Sequence, residues 1–230
     1  MSDTFDPIQY ARSLGYSEEE LLGVPEGWVC HGCGNPVALA EIQEGEAVLD
    51  LGSGGGLDAF LAAQRVGTTG RVIGVDSSPE MVAKAAEAAS KGGYANVVFK
   101  VGRMEHLPLD DESIDVVISN CVVNHAGDKL AVFKELIRCL RPGGRLVLTD
   151  LVAEGPFSQA ALEDEVWGEW LGVALGKQEC LRRIREAGFK NLMVVGETTF
   201  PMAEQDERLK ERIVSIAVTA CKGLGDCRST

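Results

Sequence analysis

The sequence lacks any cluster of basic residues. Its 22 Lys and Arg are outnumbered by 35 Asp and Glu, which gives a formal net charge of −13. Because binding to a nucleic-acid backbone depends on clustered Lys and Arg, we expect no nucleic-acid partner. No apolar run approaches membrane-spanning length, and residues 1–6 have neither the basic segment nor the apolar core of a signal peptide. We therefore expect a cytoplasmic protein that binds no membrane, and the acidic composition is compatible with a monomer.

A paired-cysteine framework is missing as well. The chain has seven cysteines, an odd number, and in a cytoplasmic protein we expect reduced thiols. Cys30 and Cys33 form a C-x-x-C motif, but no second C-x-x-C and no H-x-x-x-H completes a structural zinc site. Cys139 and Cys180 are predicted to be small apolar residues on helices. We expect no structural metal.

Strand-like and helix-like segments alternate regularly along most of the chain. Strands are predicted at 46–50, 71–75, 97–101, 114–119 and 145–150, with helices at 57–66, 79–91 and 129–140 between them. Short helices are predicted after Ser17 and Asn35. Later helices are predicted at 159–172 and 177–187, and late strands at 191–198 and 212–220. This pattern predicts an α/β, Rossmann-like, doubly wound fold: a mostly parallel seven-stranded sheet that ends in a reversed hairpin, with helices on both faces.

A glycine-rich loop follows the first predicted strand. The strand leads into Gly52-Ser53-Gly54-Gly55-Gly56, and a helix is predicted to begin at Leu57. Glycine permits a positive-φ turn and close approach of a ligand, while the free N–H groups of the helix point towards the loop. Asp76 ends the second predicted strand, where an acid can accept hydrogen bonds from ribose hydroxyls. The loop therefore predicts a nucleoside-binding site.

Further details favour S-adenosylmethionine (SAM) over a dinucleotide. Asp50 precedes the first glycine, where its charge would attract an ammonium group and repel a pyrophosphate. The glycines also lack the third-glycine spacing of the dinucleotide fingerprint. Over residues 45–220 the chain resembles the class I SAM-dependent methyltransferases. We therefore divide it into an N-terminal helical extension with a substrate-binding loop, residues 1–44, and a methyltransferase domain, residues 45–230.

The resemblance implies a set of SAM contacts. The residues at matching positions are Asp50, Gly52, Ser53, Gly54, Asp76, Ser77, Met104, Glu105 and Asn120. Asp50 and the glycine loop would contact the methionine part, and Asp76 would hold the ribose hydroxyls. Met104 and Glu105 fall in the adenine-binding segment, although the acid often found second in that segment is Arg103 here.

Two cysteines are predicted to lie over the methyl-donor pocket. Cys33 precedes the helix before the first strand, and Cys121 directly follows the fourth strand. Soft thiolate ligands suit soft, thiophilic centres. Segments that resemble the arsenite methyltransferase family surround both cysteines and occur elsewhere in the same order: 10–19, 25–27, 32–36, 105–108, 119–124 and 128–129. The resemblance implies that Cys33 and Cys121 bind trivalent arsenic as the catalytic thiolates, with SAM as methyl donor, a small trivalent arsenical as substrate and a thiol reductant as partner.

One position departs from this family. Its W-G-E-C-L-G segment carries a third arsenic-binding cysteine, and the matching residue here is Trp170, which cannot ligate arsenic. Because methylarsenite already uses one of its three bonds on carbon, two thiolates are enough for it, and we expect a preference for that substrate. Alternatively, Cys30 supplies the missing thiol. Trp28 and Trp170 are interpreted either as a wall over the substrate or as ordinary packing residues.

Two other functions fit the same motifs. A SAM-dependent methyltransferase acting on an O, N or C atom of a small metabolite often needs a general base, and His125 could serve. A non-catalytic SAM-binding sensor of metalloids is the second alternative. Cys221 and Cys227 form either a reduced tail or a thiol relay to the site.

Overall fold

Seven strands of the described residues form one sheet, and the order and direction of these strands determine where ligands can bind. The computed structural model describes residues 6–26, 28, 30–155, 157–165, 167–200, 203, 206–209 and 212–223. The strands are β1 (Ala47–Leu51), β2 (Arg71–Asp76), β3 (Val97–Val101), β4 (Ile114–Asn120), β5 (Leu140–Ala153), β6 (Lys190–Thr199) and β7 (Ile213–Cys221). Their order is β3-β2-β1-β4-β5-β7-β6, with β7 antiparallel to both neighbours and the other pairs parallel. The predicted fold class is confirmed.

Helices cover both faces of the sheet because successive strand residues point to opposite sides. The helices are α1 (Pro7–Ser13), α2 (Glu18–Leu22), α3 (Pro36–Leu39), α4 (Leu57–Val66), α5 (Pro79–Gly92), α6 (Lys129–Cys139), α7 (Gln159–Leu162), α8 (Gly168–Val173) and α9 (Lys177–Glu186). On one face, α6 and α9 pack on a core that includes Leu49. On the other, α1 to α4 pack on a core that includes Val48. The N-terminal helices thus lie against the sheet. Within the described residues, no helix combines the length and apolar character needed to cross a membrane.

Three parts of the structure differ from the sequence prediction. Helix α1 was not predicted, although Asp6 caps it and Pro7 begins it. The helix predicted at 159–172 is divided into α7 and α8, because Asp164 accepts the N–H of Trp167 and starts a new turn there. Strand β5 begins at Leu140 and includes residues 142–144, which we expected to form a tight turn.

The cysteines follow the prediction with one exception. Cys30, Cys33, Cys121, Cys139 and Cys180 are free thiols, and all but Cys121 are buried. Cys139 and Cys180 lie in the apolar core, as predicted. Cys221 forms a disulfide at the end of β7, so the expectation of reduced thiols is wrong for this residue. Cys227 lies outside the described residues.

Candidate active site

The candidate site is a cavity at the carboxyl ends of β1, β2 and β4, where open parallel sheets bind ligands. Its volume is about 270 Å³. The glycine loop after β1 and the first residues after β4 form its floor. The N-terminal extension closes it with Tyr16, Cys30, His31 and Gly32. The cavity is therefore made jointly by the sheet and by residues before β1.

The glycine loop is held against the end of β2. The N–H groups of Gly52 and Ser53 donate to the carbonyl of Val75, at 2.8 and 3.1 Å. Gly52 has φ +72°, and a Cβ there would lie 2.5 Å from the side chain of Val122, so only glycine fits this turn. The N–H of Gly54 donates to Oδ2 of Asp76 at 2.9 Å. Each oxygen of Asp76 accepts one backbone N–H, which leaves acceptor capacity for hydroxyl groups.

Three carboxyl groups give the cavity an acidic lining. Asp50, Asp58 and Asp76 all line it. Burial, together with the charges of Asp58 and Asp76, raises the pKa of Asp50 well above its usual value. Oδ2 of Asp50 and the hydroxyl of Ser53 are buried without a hydrogen-bond partner. Buried polar atoms without partners are rare in folded proteins, so a polar ligand group is expected here. A cationic ligand with an ammonium group fits Asp50, and the free capacity of Asp76 suits ribose hydroxyls.

Asn120 connects the N-terminal loop to the end of β4. Its Oδ1 accepts from the N–H of Cys33 at 2.9 Å and from the hydroxyl of Thr149 at 3.0 Å. Its Nδ2 lies 2.8 Å from the carbonyl of Gly34 and 3.0 Å from a carboxylate oxygen of Asp58. Asn120 lines the cavity, as expected of a ligand-binding residue, but its side chain is used to position the loop of Cys33.

Cys33 and Cys121 meet beside the cavity. Their sulfur atoms and a carboxylate oxygen of Asp150 all lie within 4.8 Å of one another. Cys121 lines the cavity and has φ +58°, a strained value for a residue other than glycine. Cys33 is 3% exposed, and its carbonyl accepts from the hydroxyl of Ser215 at 2.7 Å. Burial raises the pKa of Cys33 well above its usual value, and the neighbouring Cys121 raises it further, so this thiol is protonated at neutral pH.

The other predicted site residues lie apart from the group of two thiols and one carboxylate, and some of them do not line the cavity. Cys30 lines the cavity, and burial raises its pKa to about 11, but it is outside the group of Cys33, Cys121 and Asp150. His125 lines the cavity from an exposed position. Ser77, Met104 and Glu105, all within the described residues, are not part of the cavity lining.

Of the two tryptophans considered as a wall over the substrate, the structure describes the side chain of one. Trp28 packs against the core beneath the N-terminal helices. The side chain of Trp170, on α8, lies outside the described part of the structure.

Comparison with known proteins agrees with this geometry. A family model described as a methyltransferase domain matches residues 42–191. An arsenite methyltransferase of Halobacterium salinarum is 42% identical over 222 residues, which make up 94% of this chain and 57% of that protein. The crystal structure of an arsenic(III) S-adenosylmethionine methyltransferase from Chlamydomonas reinhardtii matches with a TM-score of 0.71 and 32% identity, over 96% of this chain and 75% of that one. This chain belongs to the arsenic(III) S-adenosylmethionine methyltransferase family.

Other relatives in the arsenic(III) methyltransferase family are also longer than this chain. Human arsenite methyltransferase is 36% identical over 169 residues, which make up 69% of this chain and 44% of that protein. The chain spans about half the length of the curated relatives it matches.

Three further residues, Asp150, Asp58 and Tyr16, belong to the site of this family member and were not among the predicted site residues. Asp150 is the last residue of the fifth predicted strand, so the rule that ligands bind at the carboxyl ends of parallel strands could have found it. Asp58 directly follows the first residue of the helix after the glycine loop, and its pKa is raised to about 6 by burial. Tyr16 donates its hydroxyl to Asp58 at 2.7 Å across 42 residues of sequence, a contact with no local signal.

Proposed function

We propose that the chain transfers a methyl group from SAM to trivalent arsenic bound by Cys33 and Cys121. The observation that carries the proposal is the meeting of these two thiols beside a cavity lined by carboxylates. Soft thiolates are suited to a thiophilic centre such as arsenic(III). The family relationship supports the same reaction.

The residues around the cavity fit SAM as the methyl donor. Asp50, with its unpartnered oxygen, would bind the ammonium group, and the loop Gly52–Gly54 would lie along the methionine part. Asp76 would accept from the ribose hydroxyls, with Ser77 beside it, while Met104 and Glu105 would contact the adenine. When bound, SAM supplies an electrophilic methyl group on a positively charged sulfur. Carboxylates that line the cavity would stabilise such a cation once it is bound.

Arsenic binding requires no external base in this scheme. Each thiol condenses with an As–OH group: an S–As bond forms, the As–O bond breaks, and the thiol proton leaves with the hydroxide as water. Arsenic(III) keeps a lone pair after three bonds, so the nucleophile carries no proton to remove. The protein positions the arsenical and excludes water.

Taking up the methyl group leaves arsenic formally pentavalent, and the electron pair of the broken methyl–sulfur bond stays on the sulfur of the departing S-adenosylhomocysteine. Cys33 and Cys121 would return arsenic to the trivalent state by forming a disulfide with each other, which supplies two electrons. A thiol reductant would then cleave that disulfide before the next substrate binds.

Replacing either thiol tests the proposed function. Cys33→Ser and Cys121→Ser should each lower methyl transfer to trivalent arsenicals by about 100-fold or more, because the arsenical is no longer positioned. The measurement is transfer of labelled methyl from SAM. Cys139→Ser is the matched control, since this cysteine lies in the core at the end of α6. Full activity in both site variants would refute the mechanism and favour a different acceptor.

We further propose a preference for methylarsenite over arsenite. Position 170 is Trp, so two thiolates remain, and they satisfy the two bonds that methylarsenite has free. Side-by-side rates should be higher with methylarsenite, and faster turnover of arsenite would contradict the preference. If Cys30 supplies a third thiol, Cys30→Ser will selectively lower arsenite turnover; if it does not, turnover will be unchanged.

A further inference from the structure

The two site thiols have a carboxylate as their third neighbour. The ligand atoms of Cys33, Cys121 and Asp150 lie within 4.8 Å of one another, and no other set of three His, Cys, Asp or Glu in the described residues forms such a group. The set combines two soft sulfur donors with one hard oxygen donor. Methyl transfer to an arsenical bound by two thiolates, as proposed above, makes no use of this oxygen.

Hydrogen bonds fix the orientation of Asp150. Its Oδ1 accepts from Nδ2 of Asn124 at 3.0 Å and from the N–H of Leu151 at 2.8 Å. Its Oδ2 accepts from the N–H of Val123 at 3.1 Å. The residue is 3% exposed, and burial raises its pKa to about 6. Carboxylates that ligate metals are held in this way by neighbouring donors, which orient the free lone pairs.

The geometry is close to that of a divalent metal site. In a tetrahedral zinc site with Zn–S bonds of about 2.3 Å, ligand atoms lie about 3.8 Å apart, so side-chain shifts of about 1 Å suffice here. Three protein ligands and a fourth, open position are the arrangement of exchangeable zinc sites. Cys121 borders the cavity, from which a water molecule can provide the fourth ligand. We propose that Cys33, Cys121 and Asp150 bind a thiophilic divalent cation of the zinc and cadmium class, in competition with the arsenical.

A divalent cation and an arsenical differ in what they release on binding and in the protein atoms to which they bond. A divalent cation displaces the protons of both thiols into solvent and bonds to two thiolates and one carboxylate. An arsenical releases water instead and bonds to sulfur alone. Asp150 therefore discriminates between them: its loss should weaken cation binding and leave both sulfurs available to arsenic.

Direct cadmium binding tests the proposal without any activity assay. Titration with Cd²⁺ of the protein that keeps its Cys221 disulfide should show one equivalent by the ultraviolet thiolate-to-cadmium absorption, and this signal should be lost in Cys33→Ser and Cys121→Ser. Asp150→Asn should keep the absorption but weaken Cd²⁺ affinity by at least about tenfold. Cys139→Ser should bind Cd²⁺ like the wild type. The assignment would be overturned by an unchanged Cd²⁺ affinity in Asp150→Asn. It would also be overturned if the absorption persisted in Cys33→Ser and in Cys121→Ser.

A second measurement covers the case in which Asp150→Asn does not fold. The ¹¹³Cd resonance of the wild-type complex reports the number of bound sulfurs, and it should indicate two; three or four would contradict the donor set. Zn²⁺ should raise the apparent KM for the arsenical without lowering kcat, and a lower kcat at unchanged KM would contradict competition. Cadmium binding without methyl transfer would refute only the proposed function, and methyl transfer without cadmium binding would refute only this inference.

Discussion

At the scale of single residues, the buried acidic groups of the site lower the stability of the folded protein. Asp50 and Asp58 are buried side by side at the cavity, and burial raises the pKa of both. Each would prefer to be neutral in the folded protein, yet a cationic ligand needs them charged. Natural proteins accept such local destabilisation at functional sites. The unpartnered oxygen of Asp50 marks where the compensating positive charge is expected.

Burial raises the pKa of Asp58 to about 6 in the folded protein. The free energy of unfolding of the protein therefore depends on pH. The pKa in the unfolded state is about 3.9, so the folded state binds this proton more tightly. The stabilisation by the protonated form is complete below about pH 4 and is lost as the pH rises through about 6, amounting to about 3 kcal/mol. Urea unfolding at pH 5 and pH 7 should show a loss of about 1 kcal/mol from this group, because part of the stabilisation is already lost at pH 5.

The isosteric variant isolates this effect from the other carboxylates. Asp58→Asn should lose less stability than the wild type between the two pH values, because residue 58 no longer titrates. Equal losses in both proteins would mean that Asp58 has an ordinary pKa.

At the scale of elements, the short N-terminal helices acquire their role through contacts with β4. Asn120 accepts the N–H of Cys33 across 87 residues of sequence, and the hydroxyl of Tyr10 donates to the carbonyl of Gly32. The first bond holds the loop that carries Cys33 against the end of β4, next to Cys121, and the second ties α1 to the same loop. The loop before α3 is thus part of the site, although it precedes the sheet.

Removing the Asn120 side chain should therefore affect both stability and substrate binding. Asn120→Ala leaves buried partners unsatisfied and should lower the free energy of unfolding by about 2–3 kcal/mol. It should also weaken arsenical binding, because Cys33 loses its anchor. Denaturant unfolding and direct arsenical titration measure the two effects.

Asn96→Ala is the matched control for that experiment. Asn96 donates to the carbonyls of Ala63 and Gly67, away from the thiols. This variant should be destabilised with unchanged arsenical affinity. Equal weakening of binding in both variants would show that Asn120 acts through general stability alone.

Sequence patterns predicted the regular elements well and the contacts between distant segments poorly. The helix at 57–66 is confirmed to the residue because its start follows the glycine loop and Gly67 ends it. The break between α7 and α8 was missed because Asp164 acts through one local hydrogen bond within an otherwise helical pattern. Cys33 and Cys121 were found through a family resemblance. Asp150 could have been found from its place at the end of a predicted strand, whereas Tyr16 depends on a pairing with Asp58 that no local spacing encodes.

At the scale of the whole molecule, the topology of the sheet brings acidic residues to the cavity and the two site thiols beside it. The chain carries a formal net charge of −13, and buried carboxylates bring part of that charge to the cavity. The parallel half of the sheet provides the cavity, while antiparallel β7 lies beside β5 and reaches the thiol loop through Ser215. Residues from both ends of the chain thus meet at one edge of the sheet.

The bond between Ser215 and Cys33 spans 182 residues and has a consequence for synthesis. Strand β7 cannot join the sheet until the residues between Cys33 and Ser215 have been synthesised, so the loop of Cys33 lacks this anchor until then. The loop that carries Cys33 therefore gains its full set of described hydrogen bonds only after β7 has been added to the sheet.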